Sequence, residues 1–494
     1  MKRGSKWVIL LAAAAAALIC GCGGMKALGD GGKKEEIPTI TICTVNTTSE
    51  QSNERISKLI SRITREKLGC NVVITGWSMD KYEQQLSYQY LSRQMPDIFA
   101  AFELTNFERW IDKGAVLPME ELIQPYKEGL DEYVLEKEWL VTTLNGHLYG
   151  IPSSITENKC MGFVFRRDIC EELGIDWRAV KSMDDLHEML LEVKKAYPDM
   201  DMIVPHSGKI IPNVGQDRLN NNLGVLLERG QKELKTENLY ASDYFEGLCK
   251  RMRQWNEEGL FMKRAFAGTE NRQNYIATGQ GFGSFLNLSE VSLYNIGRYV
   301  NYDIAAVQLA PRVMDSDSCN MVWCIGRDSK EPELAMDVLN LMFMDYEISK
   351  ILTYGEEGVD YSQVNSRFVT ACSQKSEEGA ELWRTTEWAW PVSVPIERWM
   401  VNGEDLVQYI EFWDEPVIES SAMGFLFDAS EVRTEVDACQ AVINKYENPL
   451  LCGELDPETA IPMFLEELDR AGIQQVIQEK QRQLDLFKEK QRNN

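Results

Sequence analysis

A dense group of tryptophans stands near the end of the chain, in the segment WRTTEWAWP. Its indoles, Trp383, Trp388 and Trp390, are interleaved with Arg384 and Glu387. Indole rings present flat apolar faces and the charged side chains supply hydrogen-bonding groups, so this chemistry favours binding of a ligand over bond cleavage. The closing proline indicates a loop, and loops carry many binding residues. The same indoles could instead pack in a core, and the spacing leaves both interpretations open.

Residues that break bonds show no recognisable arrangement in this sequence. The three histidines, His147, His187 and His206, form neither an HExxH motif nor another metal-ligand spacing. The chain also lacks the GxSxG motif of a hydrolase nucleophile. A glycosidase needs only two carboxylates, and 77 acidic residues leave a secreted glycoside hydrolase as an alternative that spacing cannot select. We predict no catalytic residues and no enzyme activity.

Two further segments bear on cofactors and metals. The glycine-rich run Gly281–Asn287 lacks the GxGxxG and GK[ST] patterns of nucleotide loops. It predicts a tight turn after a strand, with or without a ligand against its backbone. Asp199 and Asp201 supply fewer oxygen ligands to their loop than a calcium site needs. We predict no cofactor and no metal site.

The balance of charges limits the kinds of partner. The 494 residues include 52 Lys and Arg against 77 Asp and Glu, a net charge of −25. Such a chain repels phosphate backbones, so we predict that nucleic acid is not a partner. Hydrophobic residues make up 44% of the chain, which indicates a globular protein, and its length predicts more than one core.

The N-terminus has the layout of an export signal. Basic residues precede an apolar run over residues 7–19, which is too short to span a bilayer. The run ends in LICGC, where a small glycine precedes Cys22 as in the lipobox of bacterial lipoproteins. We predict a signal peptide over residues 1–21, a lipidated Cys22 and a flexible tether over residues 22–36. A plain cleaved signal with two incidental cysteines is the alternative.

The ten cysteines after Cys22 contain no CxxC pair. Export permits disulfides, but Cys43 and Cys70 lie in apolar, strand-like runs. We predict that these two cysteines are small buried hydrophobic residues.

Strand and helix patterns alternate from residue 39 onwards. Residues 39–45 alternate in polarity and are rich in β-branched types, and two further strands are predicted at residues 70–75 and 96–100. Apolar residues at helical spacing fall between the strands, with Ser52 as the first predicted N-cap. This β-α-β-α-β order predicts a parallel sheet. The alternation continues to a C-terminal amphipathic helix, with further helix starts predicted at Ser182, Pro332 and Asp456.

Several short motifs resemble the bacterial extracellular solute-binding proteins of family 1, the carbohydrate-type group that serves ABC importers. MPDIF at residues 95–99 resembles the family's PDI strand end, and GHLYGIP at residues 146–152 resembles its G-K-x-Y-G-x-P element. FRRD at residues 165–168 and GEEGVDY at residues 355–361 resemble later landmarks. Each motif is short, and it is their order behind a lipobox that carries the resemblance.

The resemblance implies an α/β, two-lobed periplasmic-binding-protein fold of type II, with a hinge and a ligand cleft between the lobes. It places the solute-binding domain at residues 37–494, with lobe 1 near residues 37–152 and 311–370 and lobe 2 near residues 158–305 and 380–494. The implied protein is a monomeric receptor, lipid-anchored at the outer face of the cell membrane. It would capture a sugar or oligosaccharide and deliver it to the permease of an ABC importer. A receptor for peptides or other small solutes, or a sensor without transport, is the alternative within this class.

The predicted ligand contacts follow from this fold. Ligands bind beyond the carboxyl ends of strands in open α/β sheets and in clefts between lobes. Aromatic planes suit the apolar faces of sugars, whereas amides and carboxylates suit their hydroxyls. The predicted contacts are therefore aromatic and polar residues after strands, the tyrosine of the family turn and the tryptophan group: Trp77, Phe102, Glu103, Asn106, Phe285, Asn287, Trp323, Tyr361, Trp383, Trp388 and Trp390.

Overall fold

The structure is a computed structural model that describes residues 37–493 apart from residues 47, 103, 135, 145, 154–159, 207–214, 264, 266–270, 317–320, 373–380, 384, 386–388 and 392–394. The predicted signal peptide, tether and lipidated Cys22 lie outside the described residues. The predicted ligand contacts Glu103 and Trp388 lie outside them as well. Residues 38–494 form one compact unit.

Strands and helices alternate along the chain, as predicted. The strands are β1 (Thr39–Val45), β2 (Asn71–Trp77), β3 (Ile98–Phe102), β4 (Thr143–Leu144), β5 (His147–Leu148), β6 (Ile151–Pro152), β7 (Met161–Arg166), β8 (Asp201–Ile203), β9 (Gln216–Asp217), β10 (Leu226–Leu227), β11 (Gly281–Asn287), β12 (Ile304–Gln308), β13 (Val313–Met314), β14 (Met321–Ile325), β15 (Tyr361–Asn365), β16 (Phe368–Ala371), β17 (Arg398–Trp399), β18 (Ile410–Glu411) and β19 (Ile418–Glu419). The helices are α1 (Glu50–Leu68), α2 (Met79–Leu91), α3 (Leu104–Asp112), α4 (Glu120–Ile123), α5 (Lys127–Leu130), α6 (Glu136–Val141), α7 (Arg167–Leu173), α8 (Met183–Ala196), α9 (Asp243–Glu257), α10 (Arg272–Ala277), α11 (Glu290–Gly297), α12 (Pro332–Met344), α13 (Tyr346–Tyr354), α14 (Arg433–Leu451), α15 (Pro457–Ala471) and α16 (Ile473–Asn493).

The first sheet has five strands in the order β2-β1-β3-β14-β6. Strand β1 pairs in parallel with β2 and with β3, so the predicted parallel unit is confirmed. Strand β14 enters antiparallel between β3 and β6. Helix α1 packs on β2 with Ile56 and Ile60 buried, because its apolar residues recur every three to four positions and form one face.

Helix ends follow the local sequence with one difference. The N-cap of α1 is Ser49 and not the predicted Ser52: the Ser49 Oγ accepts a hydrogen bond from the backbone N–H of Ser52 at 3.2 Å. The helix begins almost one turn earlier than predicted, which leaves Ser52 buried in its first turn. The predicted starts at Ser182, Pro332 and Asp456 are confirmed.

The second sheet has five strands in the order β18-β12-β7-β11-β8. Its central strand β7 runs antiparallel to both neighbours. Gly281–Asn287 forms strand β11, so the predicted turn is wrong. The reason is packing: a Cβ added to Gly283 would lie 2.4 Å from the Cε1 atom of Phe163, and glycine is what allows that ring to approach the strand.

The hydrophobic core of the described residues divides into four clusters. One surrounds the first sheet, and two cover the two faces of the second sheet. The fourth lies between helices α14, α15 and α16 and residues 219–226. None of the helices in the described part of the chain is long and apolar enough to cross a membrane.

Nine cysteines are described, and seven of them are buried free thiols: Cys43, Cys70, Cys160, Cys170, Cys249, Cys439 and Cys452. Cys43 and Cys70 are fully buried, so the prediction for these two residues is confirmed. Burial raises the pKa of the Cys43 thiol to about 12, which keeps it protonated and inert as a packing residue.

Candidate ligand-binding site

Two chain crossings connect one end of the first sheet with one end of the second. Strand β6 ends at Pro152 and β7 begins at Met161, while β12 ends at Gln308 and β14 begins at Met321. We define the first edge as the end of the first sheet at which strands β1, β2 and β3 terminate. The end of the second sheet where β8, β11 and β12 finish is the second edge. Because both crossings join these ends, they are the ends that would border the predicted cleft.

Aromatic residues line the first edge. Trp77 is the last residue of β2 and is half-buried, with its ring centroid 6.3 Å from that of Tyr82. Phe102 ends β3, is buried in the first sheet's core and lies edge-on to Tyr82 at 5.1 Å. The Asn106 Nδ2 donates to the backbone carbonyl of Phe102 at 2.9 Å. The structure therefore brings three predicted contacts together: Trp77, Phe102 and Asn106.

A polar network completes the first edge at the end of β1. The Nδ2 of Asn46 donates to the Oδ1 of Asn53 at 2.8 Å, and the backbone N–H of Thr48 donates to the Oδ1 of Asn46 at 3.1 Å. The hydroxyl of Thr48 donates to Asn53 as well, at 2.6 Å. Sequence reasoning missed this network, although Asn46 directly follows a predicted strand and that position was the available signal.

Three predicted tryptophans are buried behind the first edge. Trp323 and Trp390 stack with ring centroids 6.2 Å apart, and Trp383 lies 6.1 Å from Trp390. All three are at most 2% exposed and belong to the first sheet's core. The Oγ1 of Thr44, near the end of β1, donates to the carbonyl of Ala389 at 3.0 Å, so their segment lies close to the edge. In this conformation the rings pack in the core and expose no face to a ligand.

Phe285 and Tyr361 are also core residues in this structure. Phe285 points into the second sheet's core, with its ring 5.1 Å from that of Phe163. Tyr361 belongs to the cluster on the opposite face of that sheet, 5.7 Å from the ring of Tyr354. Neither residue joins the polar groups at the edges.

Asn287 is the predicted contact that the structure places at the second edge. It is the last residue of β11, and its Oδ1 accepts from the backbone N–H of Cys160 at 2.6 Å. The backbone N–H of Leu288 donates to the carbonyl of Cys160 at 2.7 Å. These bonds fix the start of β7 where the chain arrives from the first sheet.

Three basic residues at the second edge have unsatisfied nitrogen atoms, and we call them the basic group: His206, Arg272 and Arg312. The Nη1 of Arg272 donates to the carbonyl of Phe285 at 2.7 Å, and the Nη2 of Arg312 donates to the carbonyl of Glu415 at 3.0 Å. The Nε atoms of both arginines and the Nδ1 of His206 are buried without a hydrogen-bond partner among the described residues. Burial and the charge of Arg272 lower the pKa of His206, so it is a neutral imidazole at pH 7.

The second edge also presents an indole that sequence reasoning missed. The backbone N–H of Trp413 donates to the Oε1 of Gln308 at 2.9 Å, which places it where β12 and β18 finish. Trp413 is half-buried, and its indole Nε1 has no partner in the part of the chain that the structure describes. No local pattern marks Trp413, because it follows a strand of only two residues.

Acidic residues lie beside the first edge. Glu108 is on α3, which follows β3. Burial raises the pKa of Glu108 to about 7, and the nearby charges of Asp428 and Asp112 add to the effect. An acidic residue with a raised pKa therefore lies beside the first edge, whereas the second edge carries the basic group.

The second crossing is fixed by buried polar contacts with Asp217 and Arg229 and by strand pairing with β19. Arg229 and Asp315 form an ion pair at 3.1 Å with side chains 4% and 0% exposed. The carboxylate of Asp217 accepts from both the backbone N–H and the hydroxyl of Ser316, each at 2.9 Å. Strand β13 of the crossing pairs with β19, just before the C-terminal helices. The crossing is thus held to Asp217, Arg229 and strand β19 by hydrogen bonds and an ion pair.

No described residues form a cluster of three or more His, Cys, Asp and Glu that could hold a metal ion. Asp201, which the sequence analysis considered for calcium, lies in β8 and accepts a hydrogen bond from the hydroxyl of Tyr275 at 3.0 Å. The polar atoms at the two edges are amide, indole, imidazole and guanidinium groups, which suit binding of a polar ligand.

Comparison with known families identifies the class of protein. Residues 47–208 match the family described as bacterial extracellular solute-binding protein, and residues 421–489 match a domain of unknown function, DUF3502. The resemblance drawn from the sequence motifs is confirmed by this match and by a relative that covers nearly the whole chain. Proteins of this family are solute-binding components of ABC transporters and not enzymes.

Individual relatives cover nearly the whole chain. A carbohydrate ABC transporter substrate-binding protein of Streptococcus pneumoniae is 26% identical over 97% of this chain and 96% of its own length. The N-glycan transport solute-binding protein NgtS of the same species matches with a TM-score of 0.76 at 22% identity, covering 91% of this chain and 99% of that one. The S. pneumoniae protein FusA, solved with kestose, matches with a TM-score of 0.62 at 18% identity, covering 92% and 100%. The predicted two-lobed α/β fold is confirmed.

Proposed function

We propose that this chain is the extracytoplasmic substrate-binding protein of an ABC importer and that it captures a sugar or oligosaccharide between the two edges. The observation that carries the proposal is the pair of five-stranded sheets joined by crossings at these edges, where aromatic and hydrogen-bonding groups stand together. The 26% identical relative along 97% of the chain, named for carbohydrate transport, supports the choice of ligand class.

Binding would proceed by closure of the two lobes around the ligand. In this proposal lobe 1 contains the first sheet and lobe 2 the second. The boundaries predicted from the sequence then change in two places, because Trp383 and Trp390 pack with the first sheet and Tyr361 packs with the second. Trp77 at the first edge and Trp413 at the second would stack on sugar faces, while Asn106 and Asn287 would bind hydroxyls. A ligand that contacts both lobes stabilises the closed state by its differential affinity for it.

The location and partners follow from the same proposal. The protein would act outside the cytoplasm, held at the membrane by a lipid on Cys22, and would work as a monomer. The closed form would deliver its ligand to the permease subunits of the importer. Lipidation can be tested by metabolic labelling with a palmitate analogue: label lost on Cys22→Ser but kept on Cys20→Ser would support the anchor.

The function can be tested by thermal denaturation of the mature chain against oligosaccharides, with peptides as controls. A ligand at a hundredfold excess over its Kd stabilises the folded state by about 2.7 kcal/mol and raises Tm. A rise with oligosaccharides alone, without release of products, supports the proposal. A rise with peptides alone contradicts the carbohydrate assignment, and product release contradicts the assignment as a pure receptor.

A matched pair of variants locates the site. Trp77→Ala removes the half-buried indole of the first edge and should abolish most of the ligand-induced rise in Tm. Tyr88→Ala removes an exposed ring on helix α2 and should leave the rise unchanged. Equal effects of the two substitutions would contradict the placement of the site at the edges.

A further inference from the structure

Arg272 is a cation without a counterion among the described residues. Its hydrogen bond is to the backbone carbonyl of Phe285, and its Nε is buried without a partner. No ion pair joins Arg272 to any described carboxylate, in a chain with 77 acidic residues. Burial alone lowers the pKa of Arg272 to about 10, with no described acid to offset the effect.

The position of Arg272 is unfavourable for folding by itself. Arg272 is the first residue of α10, where the positive end of the helix disfavours a cation. Partial burial of a guanidinium without a counterion also lowers stability. A hydrogen bond to the Phe285 carbonyl requires only one neutral donor, so this contact does not explain why a positive charge is present. The charge therefore calls for an anionic partner that is not part of the fold.

Among the described residues, the groups that share an edge with Arg272 are basic or neutral. The positive charge of Arg272 contributes to the lowered pKa of His206, and the His206 Nδ1 has no described hydrogen-bond partner. Arg312, the third member of the basic group, acts on the thiol of Cys160 at the start of β7. Asn287 binds the backbone of that same Cys160, so the basic group and a proposed ligand contact share one edge. A ligand in the cleft would meet positive charge on this side.

We infer that the second edge is a carboxylate-binding subsite, and that the oligosaccharide of this receptor carries an acidic sugar whose carboxylate binds Arg272. A planar guanidinium can donate two parallel hydrogen bonds to a planar carboxylate. Nitrogen atoms of Arg272 and His206 that have no partner in the described structure would supply further donors after small side-chain adjustments. This inference rests on the proposed function, because it names the class of ligand for the same cleft.

The specificity has a physical reason. A carboxylate relieves the unpaired charge of Arg272, whereas a neutral hydroxyl at the same place leaves that charge uncompensated. Hydrogen bonds to charged groups are stronger than those between neutral groups, so we expect acidic ligands to bind about tenfold or more tightly than their neutral counterparts.

The test is calorimetric titration with three matched pairs of probes. They are digalacturonate and its carboxyl-reduced form, sialyllactose and lactose, and a glucuronosyl xylobiose and xylobiose. We expect at least one acidic member to bind about tenfold or more tightly than its neutral partner. Arg272→Gln should remove that preference and change the neutral Kd less than twofold. Arg272→Lys, which keeps the charge without the planar fork, should keep part of it.

Arg251→Gln is the matched control, because Arg251 lies on α9 and pairs with Asp184 on the protein surface. Arg251→Gln should leave the affinities for the acidic and for the neutral probes unchanged. If Arg272→Gln lowers Tm strongly, the comparison of Arg272→Lys with the parent protein decides whether the preference for acidic ligands depends on the guanidinium. Neutral probes that bind as well as acidic ones, or a preference that survives Arg272→Gln, would overturn the inference and leave the proposed function standing. Failure of every probe to bind would count against the carbohydrate function itself.

Discussion

The two edges belong to sheets of the same size, yet they differ in how far folding satisfies their polar groups. At the first edge the side chains of Asn46, Thr48 and Asn53 bond to one another and the aromatic rings pack on Tyr82, while the Ser153 hydroxyl after β6 has no described partner. At the second edge the basic group and Trp413 keep nitrogen atoms without partners among the described residues. The first edge is flanked by acidic Glu108, whereas the second is basic.

This difference teaches which side of the cleft is complete before a ligand arrives. Buried polar groups are almost always paired in folded proteins, so an edge whose groups are already paired is rigid and preformed. An edge with unpaired buried donors gains most from a ligand, because the ligand supplies the missing acceptors. We therefore expect the first edge to provide shape and the second to provide chemical specificity.

The largest expected loss of stability comes from a substitution in the core behind the first edge. Trp390→Ala removes a fully buried indole that stacks on Trp323, and it should lower the free energy of unfolding by about 3–5 kcal/mol. Urea denaturation measures this change. Trp413→Ala at the second edge should lower stability by less than about 1 kcal/mol, because that ring is half-exposed. If Trp390→Ala left stability intact and abolished ligand binding, the ring would be a ligand platform after all.

The next effect concerns the crossing that joins the edges. Asp315→Ala leaves the charge of Arg229 buried beside it and should destabilise the protein by about 3 kcal/mol. The double variant Arg229→Met/Asp315→Leu removes both charges and should recover most of that loss. Chemical denaturation of both variants and the parent provides the comparison. A double variant as unstable as the single one would mean that the ion pair is itself required to hold the crossing.

A smaller effect should appear in the pH dependence of the acidic first edge. Glu108 has a folded-state pKa raised to about 7, so between its usual pKa near 4.5 and pH 7 the folded state holds more protons than the unfolded one. Stability is then lost as pH rises through this window. Glu108→Gln should stabilise the protein by about 1–2 kcal/mol at pH 8 and have little effect at pH 4. Denaturation curves from pH 4 to 8 measure it, and a gain that is equal at both pH values would contradict the assignment.

The smallest effect has the opposite sign and comes from the basic second edge. The pKa of His206 is lowered in the folded state, so the unfolded state binds more protons below about pH 6.5. Stability is lost as pH falls through this window, by less than about 1 kcal/mol. His206→Gln should flatten this loss in the same denaturation series. The exposed His147→Gln is the control, and an identical flattening by both would contradict the role of burial.

Much of the fold followed from local patterns. The strand over residues 39–45, the parallel pairing of the first three strands and the caps at Ser182 and Asp456 were all predicted, because polarity period and capping chemistry are local properties. The prediction for Gly281–Asn287 was wrong, because the need for glycine there comes from the ring of Phe163 on a neighbouring strand. That neighbour is more than a hundred residues away in sequence.

The sequence by itself determined the family resemblance, the α/β alternation and the positions of Trp77, Phe102, Asn106 and Asn287 near sheet ends, because residues at or just after the ends of strands must lie there. Only the tertiary structure decided which tryptophans are buried, since indoles at 383 and 390 could satisfy either a core or a surface until their neighbours were known. It also decided that Arg272, His206 and Arg312 share an edge without a described counterion. These three residues follow no periodic pattern in the sequence. Whether a buried polar group has a partner depends on the three-dimensional arrangement, which spacing along the chain does not encode.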